Sequence, residues 1–360
     1  MSERSRETAV ILANGMFRTP FAKTAHGLVR GPCRYRVVGI IDDSCAGEDA
    51  GVLLDGRTRG IPIFESVGKM VEGLEGRPDY CVVGVATSGG VMPPELRKDI
   101  LEAAQAGISL VNGLHQFLAD DSELVRIVQR RGAQIIDIRR PRPTAELSFW
   151  TGEALSLETP RVAILGTDCA VGKRTTGSLL VNACCDVGLH AEMIFTGQTG
   201  WLQGYPYGFI LDATPNDFVC GELESAILAC QRETDPDLIF IEGQSSLRNP
   251  MGPCGSELIL AGGANGVILQ HAPARPFFDE LEELGCRIPP IEEEIELIGL
   301  LGAEVWAVTL SEENMVPEDS EDIRLRMAQK LGIPVVLPLL DDLGDLVDII
   351  KNRIDPGRAL

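Results

Sequence analysis

Positive charge is scarce in this sequence. Across 360 residues, 32 lysines and arginines face 53 aspartates and glutamates, a formal net charge of −21. Lysine stands only at positions 23, 69, 98, 173, 330 and 351. So acidic a chain is a poor match for nucleic acid or an anionic membrane surface, because both demand a local positive excess. No run of about 18 apolar residues is present, which excludes a transmembrane helix. Residues 1–8 are polar and of mixed charge with no apolar core behind them, so no signal peptide is expected. Histidine is limited to His26, His115, His190 and His271, no two at metal-ligand spacing, and the ten cysteines include no C-x-x-C pair. A structural zinc site is therefore not expected, and the thiols are expected to be reduced, in a cytoplasm.

What is present is the balance of a folded protein, 44% hydrophobic and 24% charged, at a length that suits two domains of about 100–200 residues each. Short apolar runs alternate with amphipathic stretches throughout, the pattern of parallel α/β sheets. In the first half, strands are expected at 9–13, 36–41, 80–85, 109–111 and 134–138, with helices clearest at 95–106 and 122–131. Prolines at 141, 143 and 160 then bound a stretch without a clean period, the best linker candidate. In the second half, strands are expected at 162–165, 192–195, 238–241, 266–270, 305–310 and 334–337. Helices are expected there at 172–186, 222–232, 291–301, 320–331 and 343–353. Two α/β domains joined near residue 150 is the expected organisation.

The strongest local signal is Gly166-Thr167-Asp168-Cys169-Ala170-Val171-Gly172-Lys173-Arg174-Thr175-Thr176. It follows an apolar strand and opens a helix, the setting a phosphate-binding loop needs. Its glycines let successive N–H groups turn toward an anion, the helix N-terminus adds its dipole, and Lys173 adds a full charge. Five residues separate the glycines rather than four, as in the Gly-Thr-Asp-x-x-Val-Gly-Lys loop of dethiobiotin synthetase. Arg174 stands where a hydroxyl ordinarily ligates magnesium, with Thr175 and Thr176 out of register behind it. The loop is thus expected to hold a phosphate or pyrophosphate, while magnesium-assisted transfer is in question. Glu242, at the end of the apolar run 237–242, is the candidate acid beside it. In an ATP-using protein it would hold magnesium; otherwise it pairs with Lys173 or caps the next turn.

Four further segments accompany this loop: Phe195-Thr-Gly-Gln-Thr-Gly-Trp201, the acidic segment of Asp212 and Asp217-Phe218, Glu242-Gly-Gln-Ser-Ser246, and Gln270-His-Ala-Pro-Ala-Arg275. Together they resemble, over essentially the whole chain, a family long described as a domain of unknown function. The resemblance implies an N-terminal Rossmann-like parallel-sheet domain at 1–145, a linker at 146–160 and a C-terminal P-loop NTPase-like parallel-sheet domain at 161–360. One branch of that family is assigned as D-glutamate N-acetyltransferase, which implies transfer of an acetyl group from acetyl-CoA to the amino group of D-glutamate. The loop would then cradle coenzyme A phosphates without any metal, and Arg174 would suit the extra phosphate. The kinship of the loop with dethiobiotin synthetase keeps an alternative open, an Mg-ATP-dependent ligase or kinase acting on a small carboxylate.

Acetyl transfer needs a deprotonated amine, a polarised thioester carbonyl and a clamp for the substrate carboxylates. His271, ending a strand, is the leading general base; Asp217 and Asp212 compete with it or hold the substrate ammonium. Gln198, in a Gly-broken loop after the 192–195 strand, would polarise the carbonyl. Arg248 and Arg275 would pair with carboxylates, and Trp201 would cover the site. Each has an ordinary role beside this one: packing for His271 and Trp201, helix capping for Asp217, surface charge for the arginines. In the first half, Asn14-Gly15 and Asp42-Asp43 resemble dinucleotide-fold positions, but no G-x-G-x-x-G is present and NAD is not expected. Lys23, 87–90 and 113–115 are candidates to serve the second half's site; otherwise the first domain is a lid or an oligomer interface. The expected partners are a small amino-acid substrate and a second copy of the chain.

Overall fold

The computed structural model describes residues 7–354; the reading of the extreme N-terminus falls mostly on residues 1–6, outside the described residues. The chain forms two compact units. The first comprises the described residues up to Arg142 together with Gln198–Pro206, and the second Pro143–Gly197 together with the described residues from Tyr207 onward.

The first unit is built on a parallel sheet of β1 (Thr8–Leu12), β2 (Arg36–Ile41), β3 (Ile63–Phe64), β4 (Tyr80–Val83), β5 (Ser109–Asn112) and β6 (Ile135–Asp137). The spatial order is β3-β2-β1-β4-β5-β6. From Ala9 to Leu12 central β1 is an unbroken apolar run because both its faces are covered. Val10 and Leu12 pack with Leu96 and Ile100 of the helix Pro94–Gln105. Ala9 and Ile11 pack with Ala25 and Leu28 of the helix Lys23–Arg30. Strand β3 was not expected, since two residues are too few to show an alternation.

One segment departs from the sequence reading. The Gly-broken loop expected after the 192–195 strand is instead the helix Gln198–Gln203. Gly200 lowers its intrinsic helix propensity, but burial overrides that cost. Leu202 is fully buried in the cluster of Ile11 and Leu28. Its carbonyl accepts the Arg34 N–H at 2.8 Å.

The second unit holds a parallel sheet of β7 (Arg161–Gly166), β8 (Ala191–Ile194), β9 (Leu238–Glu242), β10 (Gly266–His271), β11 (Glu304–Leu310) and β12 (Val335–Val336). Its order is β12-β11-β10-β7-β9-β8. Every residue of β7 is buried, as a central parallel strand requires. Alternate residues Ala163, Leu165, Ile239, Ile241, Val267 and Leu269 join Leu223 and Ile227 of the helix Asn216–Thr234 in one core. Because β7 lies between β9 and β10, the C-terminal ends of three strands deliver the loop after Gly166, Glu242 and Gln270-His271 to one sheet edge.

The stretch 146–160 is strapped to the second unit. Ser148 N–H donates to Glu222 Oε1 at 2.8 Å, and Thr151 and Ala154 N–H groups donate to the Glu224 carboxylate at 2.6 and 3.1 Å. Gly221 permits this approach, since a Cβ there would lie 2.0 Å from the Ser148 carbonyl oxygen. Among the described residues no helix is long and apolar enough to cross a membrane.

Candidate functional site

The loop between β7 and the helix Lys173–Asp186 is shaped by its own side chains. Ala170 and Gly172 adopt positive φ of 53° and 108°, which turns the backbone back on itself. Lys173 is buried, and its ammonium donates to the carbonyls of Asp168 at 2.6 Å and Ser245 at 2.7 Å. Burial lowers its pKa, opposed by nearby Cys169 and Asp168. Thr167 hangs from β10: its N–H donates to the Gln270 carbonyl at 3.0 Å, and its hydroxyl meets His271 Nδ1 at 2.9 Å.

Asp168 points inward and is completely buried. One of its oxygens accepts Cys169 N–H at 2.7 Å and Asn249 Nδ2 at 3.0 Å. The other accepts Arg275 Nη1 at 2.9 Å and Asp279 N–H at 2.7 Å. Arg275 also donates to the Cys169 carbonyl at 2.7 Å and pairs with Glu313. The guanidinium expected to clamp a substrate carboxylate therefore braces the loop from behind.

The other side of the loop is where an ATP-using protein would hold magnesium. Glu242 is buried, and one of its oxygens accepts Thr196 N–H at 3.0 Å. Burial raises its pKa, with the Arg174 charge first among the influences that oppose this. Thr176, the buried hydroxyl behind Arg174, is committed: it donates to Gln270 Oε1 at 2.6 Å. The side chains on this edge thus suit an anion, with Arg174 supplying positive charge beside Glu242.

The remaining expected residues are dispersed. His271 ends β10 beside the loop; burial drives its imidazole pKa down to about 4, against Glu292, which raises it. Arg248 donates to Glu294 and Glu293 at 2.7 Å each and to the Pro290 carbonyl at 3.3 Å, so it anchors the start of the helix Ile291–Leu300. Asp217 is exposed in the first turn of the helix Asn216–Thr234, and its side chain makes no hydrogen bond among the described residues. Asp212 is exposed in the turn Leu211–Ala213.

Gln198 and Trp201 belong to the first unit. Gln198 Oε1 accepts from Arg139, whose Nη1 donates to His115 Nε2 at 2.5 Å. Trp201 lies under the Arg34 guanidinium, 4.1 Å from the ring centroid, which is local packing. Also in this unit, Asp42 is buried and caps its own loop, accepting Phe17 N–H at 2.8 Å and Ser44 N–H at 3.0 Å. Sequence reasoning missed Asn249, Thr309 and the side chain of Gln270. Only Gln270 carried a signal, a polar residue closing an otherwise apolar strand.

Comparison with known proteins fits this geometry. Residues 148–347 match the description "Domain of unknown function (DUF1611_C) P-loop domain", and 43–141 match "Domain of unknown function (DUF1611_N) Rossmann-like domain". A protein of Pseudoalteromonas sp. named D-glutamate N-acetyltransferase is 32% identical, the match covering 74% of this chain and 79% of that one. A protein of the same name from Tritonibacter scottomollicae is 29% identical, covering 75% and 80%. The crystal structure of a DUF1611 family protein from Anabaena variabilis superposes with a TM-score of 0.86 at 28% identity, over 96% of this chain and 99% of that one. With both halves matched in order and the phosphate loop in place, the chain belongs to the DUF1611 family.

Proposed function

We propose that this protein transfers an acetyl group from acetyl-CoA to the amino group of D-glutamate, with the loop 166–173 holding the coenzyme A phosphates. The observation that carries this reading is the donor set of the loop. It is a phosphate-binding turn in which position 174 is arginine and the neighbouring hydroxyl of Thr176 is committed to Gln270. Such a site favours gripping a multi-oxygen anion over magnesium-assisted cleavage of one. The names of the two relatives, at 32% and 29% identity, supply the acceptor.

In the proposed reaction the acceptor nitrogen attacks the thioester carbonyl, the C–S bond breaks, and coenzyme A leaves as its thiol. Lys173 and the loop N–H groups bind phosphate, and Arg174 brings the charge a metal would otherwise bring. His271 is the proposed proton acceptor, neutral at pH 7 and oriented by Thr167, although its low basicity limits the driving force it offers. Arg248 and Arg275, tied to carboxylates of this chain, are left out of the substrate clamp. We further propose a cytoplasmic homo-oligomer. All ten cysteines are thiols, which suits a reducing compartment, and exposed Phe149, Trp150 and Leu260 offer apolar surface to a second copy.

The test is release of coenzyme A thiol from acetyl-CoA in the presence of D-glutamate, with magnesium or with EDTA. Release that depends on D-glutamate and ignores EDTA is expected. ADP formation from ATP that requires magnesium, without thiol release, would replace this reading with the ligase or kinase alternative.

A further inference from the structure

Gln270 is the penultimate residue of β10 and is 1% exposed. Its Oε1 accepts two hydroxyls, Thr176 Oγ1 from the loop's helix and Thr309 Oγ1 from β11, each at 2.6 Å. A carbonyl oxygen has two lone pairs, and both are used, so the side-chain amide is locked in one orientation. Its nitrogen must then face the other way, toward the phosphate loop. Gly172, at φ 108°, stands there: a Cβ added to it would lie 3.6 Å from Gln270 Nε2. Among the described residues Nε2 donates to nothing. A donor left without an acceptor in so enclosed a residue is costly, and this one faces Gly172 of the loop read above as an anion cradle.

We propose that Gln270 is a ligand-contacting residue of this site, its Nε2 donating to an oxygen of a bound diphosphate, with Thr176 and Thr309 as the residues that aim it. Arginine stands at the position whose hydroxyl a metal-dependent loop spends on magnesium, and the nearby hydroxyl of Thr176 is spent on orienting a neutral donor. Diphosphate is accordingly held without a divalent cation. The inference rests on the reading of the loop as an anion cradle, and it concerns binding alone.

Isothermal titration in EDTA with two probes, inorganic pyrophosphate and acetyl-CoA, tests it. Gln270→Glu keeps the shape but replaces the donor by an acceptor; both probes are expected to bind at least about ten-fold more weakly. The deficit should shrink toward pH 5, where a protonated glutamate donates again, a rescue that a purely structural role would not give. Thr309→Val keeps the amide but removes one of its two guides, and a loss of a few-fold is expected. That variant decides the matter if Gln270→Glu does not fold. Lys173→Ala separates the two ideas. If it abolishes pyrophosphate binding while folded Gln270→Glu, or Thr309→Val in its place, binds like the wild type, the role of Gln270 is overturned and the cradle stands. If Lys173→Ala leaves pyrophosphate affinity unchanged, the cradle reading fails and the role of Gln270 fails with it.

Discussion

Asp168 lies in the middle of the phosphate loop and yet faces the protein, holding Cys169, Asn249, Asp279 and Arg275 at once. Asp168→Asn would strip the charge from a buried ion pair and leave the Arg275 guanidinium poorly compensated. A loss of about 3 kcal/mol in urea unfolding is expected, accompanied by weaker phosphate binding. His271 makes a prediction through pH. Its folded pKa of about 4 lies below the ordinary 6.5, so on acidification the unfolded chain takes the proton first. Stability should therefore fall from pH 6.5 toward pH 4, with a slope of up to about 1.4 kcal/mol per pH unit from this residue. Melting curves of His271→Asn should show a flatter decline over that range. At this scale the sequence was legible only in part. The glycines and Lys173 announce a loop because their spacing is local. The partners of Arg248 and Arg275, Glu293, Glu294 and Glu313, stand 38 or more positions away, and nothing local distinguishes a braced arginine from an available one. The same holds for Thr176, whose register excluded the usual metal position but could not reveal Gln270 as its partner.

Strands and long helices were readable because their apolar periods are sustained, as in β7, β10 and the helix Ile291–Leu300. Elements whose stability comes from elsewhere in the chain were not. The helix Gln198–Gln203 contains a glycine and is held by the burial of Leu202; β3 is two residues long. The stretch 146–160 has no period because its order comes from Glu222 and Glu224 of another element. That dependence is testable at Gly221, where an added methyl collides with the Ser148 carbonyl. Gly221→Ala is expected to cost about 1–3 kcal/mol despite the helix-favouring nature of alanine. Limited proteolysis should then cut between residues 146 and 160 faster than in the wild type.

Across the whole molecule, the alternation of strand and helix announced two parallel α/β sheets, and both are present. The net charge of −21 has two consequences of its own. Self-repulsion is screened by salt, so the melting temperature should rise between about 10 and 500 mM sodium chloride. The proposed co-substrate acetyl-CoA is an anion and would be repelled at long range, so its stopped-flow association should quicken as salt is added, the reverse of electrostatic steering; a rate that falls would point to a positive funnel around the loop. The first unit is also finished by Gln198–Pro206, far down the chain. On the ribosome, which synthesises from the N-terminus, a nascent chain ending at residue 142 already carries the whole first sheet but lacks the leucine that seals one face of its core. That unit must wait, open on one side, until residue 206 has cleared the exit tunnel, and a gene truncated at the apparent domain boundary would leave it in that state permanently.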